Sequence, residues 1–166
     1  MKSPLRRLAC LPLLLLPWLA LYCWYSAAQT GKSCVAQVEV LDLIDRGAPV
    51  HTTGLLTYHF ESNDRALLRF AGELKISGKQ SEHSYKINRT AEVALAIVGD
   101  HVKTTTLGAS RSFADDAPDE LVYRYAHPSL QSGSYYHARL YRITADLIAT
   151  GTDLAPRNLC NIAPSS

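Results

Sequence analysis

Six histidines, His51, His59, His83, His101, His127 and His137, are the side chains of this 166-residue chain best suited to hold a metal or move a proton. None stands in a His-x-x-x-His pair or at ligand spacing from Cys or Glu, so no metal-site pattern forms, and any metal would need ligands converging through the fold. With ordinary pKa values near 6.5, most of them read as half-exposed strand residues able to respond to pH. A serine nucleophile is suggested by Gly108-Ala109-Ser110-Arg111-Ser112, but the second glycine of a nucleophile elbow is missing and no helix follows directly; the segment reads as a loop. The acids Asp115, Asp116, Asp119 and Glu120 mimic a carboxylate pair, yet all fall at one loop-to-helix entry, where capping and solvation account for them. Asn88-Arg89-Thr90 matches a glycosylation pattern that arises often by chance, and no glycine-rich phosphate loop is present. No constellation supports an enzyme, and the expectation is a non-enzymatic protein with no cofactor and no metal.

The elements that would position these residues are strands. Segments 34–43, 51–61, 66–76, 84–98, 101–107, 135–144, 146–151 and 158–162 are rich in β-branched or alternating apolar residues and separated by turn clusters such as Ser62-Asn63-Asp64, Ser77-Gly78-Lys79 and Gly99-Asp100. Leu56, Tyr58 and Phe60 share one face of their strand, and Leu68, Phe70, Leu74 and Ile76 one face of the next, with Gly72 a bulge or close-approach point. Asp116 can cap a short helix from Pro118 to Ala126, which His127-Pro128 ends. The fold class is mainly β: an antiparallel sheet curled into a barrel with one short helix, with a flatter sheet packed by the helix as the alternative. Barrels of this size fill with side chains or hold one small ligand. Tyr58, Phe60, Phe70, Tyr85, Tyr135, Tyr136 and Tyr141 read as plain core aromatics or as the lining of a cavity for an amphipathic molecule, oriented by tyrosine hydroxyls; Tyr58, Phe60, Phe70, Tyr85 and Tyr136 are the candidate cavity set.

Before this domain lies a leader. Leu8 to Tyr25 carries no charge and follows Lys2, Arg6 and Arg7. Such a run can just cross a hydrocarbon core as a helix, and Trp18, Tyr22, Trp24 and Tyr25 crowd its far end as an interfacial belt does. The positive-inside rule gives an N-in, C-out single-pass topology. Residues 1–25 are then a cytoplasmic tip and membrane-spanning signal anchor, 26–33 a linker, and 34–166 one exported β domain. Ser26-Ala27-Ala28 also suits a signal peptidase, so a cleaved secretory signal stays open. Tyr22 before Cys23, and the early position of Cys10, make both poor lipidation sites. The leader removes three of the 17 Lys and Arg, leaving 14 against 15 Asp and Glu. With basic residues interleaved among acids, nucleic-acid binding is set aside.

Cys34 and Cys160 are the two cysteines outside the leader. In an oxidising compartment they form a candidate disulfide tying the first strand to the last. Two free thiols, or pairing with a partner chain, are the alternatives.

The layout of an N-terminal anchor, Cys34, Thr53-Gly54-Leu55, Gly72, Tyr85-Lys86-Ile87-Asn88-Arg89, Asp115-Asp116 and the Pro156 to Cys160 ending resembles the FidL-like family, small membrane proteins of enteric bacteria. The resemblance implies a periplasmic, lipocalin-like barrel anchored in the inner membrane. It also implies an accessory or sensor partner of a membrane-anchored winged-helix transcription activator, completing its fold with the activator's own periplasmic domain and sensing bile-type amphipaths. The strand Thr90 to Val98 departs from that pattern in lacking aromatic residues. An autonomous carrier or chaperone for a small amphipathic ligand and an envelope hydrolase are the competing functions.

Overall fold

The computed structural model of the protein describes residues 15–23, 31–43, 48–78, 82–144 and 146–164. Residues 15–23 are helical (α1) and exposed. The rest of the expected membrane span, the Ala28 cleavage point and most of the linker lie outside the described residues, among which no helix is long and apolar enough to cross a membrane.

Eight antiparallel strands follow: β1 (Lys32–Asp42), β2 (Val50–Phe60), β3 (Arg65–Ser77), β4 (Glu82–Val98), β5 (His101–Arg111), β6 (Tyr135–Arg142), β7 (Leu147–Gly151) and β8 (Pro156–Pro164). Each pairs with its neighbour in sequence, and β8 returns to β1, closing the barrel. Between β5 and β6 come helix α2 (Asp119–Tyr125) and a 3-10 turn, Pro128–Leu130. The barrel therefore closes with the chain's own strands, without the second domain that the resemblance implied. Lys32 and Ser33, expected in the linker, already belong to β1.

Alternation sets the two faces. In β2 and β3, Leu56, Leu68, Phe70 and Leu74 are buried while Leu55, His59 and Leu67 are exposed, as the pattern of side chains required. Of the two roles expected for Gly72, bulge or close-approach point, it has the second: it pairs directly with Gly54, and a Cβ on it would lie 2.2 Å from the Thr53 carbonyl oxygen, with the Phe70 ring over both glycines. A bulge does lie in β5, where Leu107 has no partner between Thr106↔Val93 and Gly108↔Glu92. That extra residue bends β5 and lets it continue, so Gly108 to Arg111, expected as a loop, pairs with the long β4 instead.

The ladders are unequal. β1 pairs with β2 along its whole length but with β8 only over Lys32–Val35, and β6 pairs with β7 only over Arg139–Arg142. The solid core lies toward the end that α2 covers, where Val38, Val50, Phe70, Leu74 and Ile87 meet Ala117, Val122, Tyr125 and Leu130. Burying such side chains contributes about 1.5–3 kcal/mol each.

Candidate functional site

The opposite half of the barrel is hollow. Its interior positions carry Cys34 and Ala36 from β1, Leu56, Tyr58 and Phe60 from β2, Thr104 from β5, Tyr136 and Ala138 from β6, Thr150 from β7 and Asn158 and Cys160 from β8. Alanine and threonine at facing positions leave space that Leu or Phe would fill, and the result is an apolar cavity of about 120 Å³. A disulfide joins Cys34 to Cys160 in its wall, with Cα atoms 5.4 Å apart, so the expected covalent tie between first and last strands is present. The bond sits where the β1–β8 ladder closes the barrel.

Behind the cavity three rings meet. His127 lies edge-on to Tyr136, with centroids 5.4 Å apart, and edge-on to Tyr58 at 6.5 Å. His127 Nδ1 accepts the Ser129 backbone N–H at 3.2 Å, which places the proton of the neutral ring on Nε2. Burial pushes the imidazole pKa down to about 4, because the cation would have to leave water. Tyr58 is shifted the other way: removal of its phenolate from water, and then the nearby Tyr136, push it above the ordinary phenol range.

Of the five candidate cavity residues, Tyr58, Phe60 and Tyr136 come together here. Phe70 is instead fully buried in the solid core, over Gly54 and Gly72, and Tyr85 packs partly buried against that same core. Tyr135 faces outward, exposed, under Lys103, and Tyr141 donates to the Thr152 carbonyl at 2.6 Å on the surface. Strand parity separated inside from outside, but which inward residues faced the hollow half depended on α2 filling the other.

A polar cluster that the sequence did not disclose fixes α2. Arg89, on the inward parity of β4 with Ile87 and Ala91, is buried and reaches Asp115 Oδ2 (3.1 Å), Asp119 Oδ1 (2.7 Å) and the Ala117 carbonyl (2.6 Å). Arg111 reaches Asp115 Oδ1 at 3.4 Å and Asp119 Oδ1 at 3.2 Å, and donates to the same Ala117 carbonyl. Asp115 also accepts the Asn88 N–H at 2.9 Å. The acids were expected to cap and solvate a helix entry. Asp115 instead neutralises a buried guanidinium, Asp116 accepts the Lys86 N–H at 2.6 Å, and the N-cap position is Pro118, which has no side chain able to cap. The available signal was Arg89 itself, a charge at an inward-facing strand position.

The remaining histidines do not converge. Among the described residues no group of three His, Cys, Asp or Glu side chains could hold a metal. His101 bridges Asp100 at 2.7 Å and Asp153 at 3.3 Å on the surface, and His51 meets Glu39 at 3.0 Å. Ser110 lies exposed in β5 with its hydroxyl 3.4 Å from the Thr90 carbonyl. Comparison with protein-family models and with curated proteins finds no match for the chain.

Proposed function

We propose that this chain is a non-enzymatic protein anchored in a bacterial inner membrane by residues 1–25, with its barrel in the periplasm, serving as an accessory or sensor partner of a membrane-bound winged-helix transcription activator. The observation that carries this reading is the open edge of β1. Past Val35 the pairing with β8 stops, so along Ala36 to Leu41 the side of β1 facing away from β2 carries no strand ladder among the described residues. Leu41 adds an exposed apolar side chain to that edge. An unpaired edge accepts a strand from a second domain through main-chain hydrogen bonds. β1 starts directly after the tether, which holds this edge near the bilayer and raises its effective concentration toward another anchored protein.

The test is co-purification of the full chain with a winged-helix, single-span protein encoded beside it, using a photo-crosslinker at Glu39. Co-purification with a crosslink lost in Leu41→Lys is expected. A monomeric chain unchanged by that neighbour overturns the reading. The cavity favours a second reading, an autonomous carrier of a small amphipathic molecule, which requires ligand retention without any partner.

A further inference from the structure

The cavity is more selective than a general amphipath site. We infer that it takes a small, uncharged, single-ring molecule carrying one hydrogen-bonding atom, of the phenol class, and rejects carboxylates and fused-ring steroids. This inference deepens the ligand side of the proposed function and does not depend on the partner.

Three observations carry it. The first is size: a space of about 120 Å³ is close to the roughly 150 Å³ apolar cavity known to take benzene, so one six-membered ring fits and a four-ring steroid does not. The second is charge. Among the described residues no Lys, Arg, Asp or Glu lines the space. A carboxylate entering it would lose its water without gaining a counter-charge, a cost of several kcal/mol. The nearby basic group, His127, is buried and neutral at ordinary pH.

The third is polarity. The Tyr58 hydroxyl has no hydrogen-bond partner among the described residues, although its ring lines an apolar space beside Tyr136. Tyr58 is only partly buried, and a hydroxyl left free at the edge of an apolar space gives a ligand one hydrogen-bonding group to meet. Leu56 and Ala138 provide the flat apolar walls against which a ring packs.

The experiment uses the full chain in lipid nanodiscs, methyl-labelled, with phenol, toluene, benzoate and cholate as probes. Phenol and toluene are expected to shift the Leu56 and Ala138 methyl signals saturably, with benzoate at least tenfold weaker and cholate without effect on them. Tyr58→Phe, which keeps the shape, should weaken phenol about tenfold, the worth of one hydrogen bond, and leave toluene within about twofold. Ala138→Leu should abolish both by filling the space. If that variant does not fold, Tyr58→Phe alone decides between a hydrogen-bonded ligand and simple partitioning. Absence of saturable shifts, benzoate or cholate binding as tightly as phenol, equal weakening of phenol and toluene by Tyr58→Phe, or unchanged shifts in a folded Ala138→Leu overturns the inference. Phenol binding in a chain that captures no activator sustains it while removing the partner reading.

Discussion

Arg89 and Asp115 illustrate how much a buried charge depends on what surrounds it. Arg89 is 5% exposed and the Asp115 side chain is inaccessible, so removing either partner leaves an uncompensated charge in the interior. Arg89→Ala is expected to cost about 3–5 kcal/mol in urea unfolding. Arg89→Lys should recover only part of this, because an ammonium cannot address Asp115, Asp119 and the Ala117 carbonyl as a planar fork does. His127 makes the opposite demand, since it must stay neutral. The unfolded chain takes up its proton near pH 6.5, while the folded imidazole, enclosed by Tyr58, Tyr136 and the Ser129 amide, does so only near 4. Between those values the unfolded state binds more protons. Stability that is fully present above pH 6.5 is therefore lost as pH falls toward 4, by at most about 3 kcal/mol. His127→Gln should flatten that part of the pH profile, as measured by denaturant unfolding at pH 7, 5.5 and 4.

At the scale of elements, the barrel's long side rests on close backbone approach. Gly54 and Gly72 face each other across β2 and β3 beneath the Phe70 ring. Gly72→Ala places a methyl against the Thr53 carbonyl, which is backbone and cannot swing aside, and a cost of about 1–3 kcal/mol is expected in thermal unfolding. Gly99→Ala, in a turn with φ +64° and open space around it, should cost about 1 kcal/mol through conformation alone. Much of this level was readable in advance. The period-two alternation of Leu56, Tyr58 and Phe60, the Gly99-Asp100 turn and the Asp119-Glu120 helix start are local signals, and the strands, the hairpin and α2 follow them. What was not readable depends on contacts distant in sequence. Gly108 to Arg111 looked like a loop because its partner strand lies nearly twenty residues earlier, and Asp115 looked like a cap because nothing local points to Arg89. The cavity set was separable from the core set only once α2 occupied one end.

The whole molecule is a barrel with a strong half and a weak seam, and the Cys34–Cys160 bond crosses that seam. Joining residues 126 apart removes chain entropy worth about 5 kcal/mol from the unfolded state. Reduction, or Cys34→Ser with Cys160→Ser, is expected to lower stability by about 3–5 kcal/mol, read as a fall in the denaturant midpoint, with phenol affinity falling as the cavity wall loosens. The same bond has a mechanical consequence. Lys32 pairs with Pro164, so the chain enters and leaves the barrel side by side, and the sulfur bridge spans the two strands just inside those ends. Tension applied across Lys32 and Pro164 passes from Cys34 to Cys160 through a covalent bond, and the residues between them carry none of it. Pulling on the two ends of the β1–β8 pair extends only the chain outside the bridge and leaves the barrel between the cysteines unstretched.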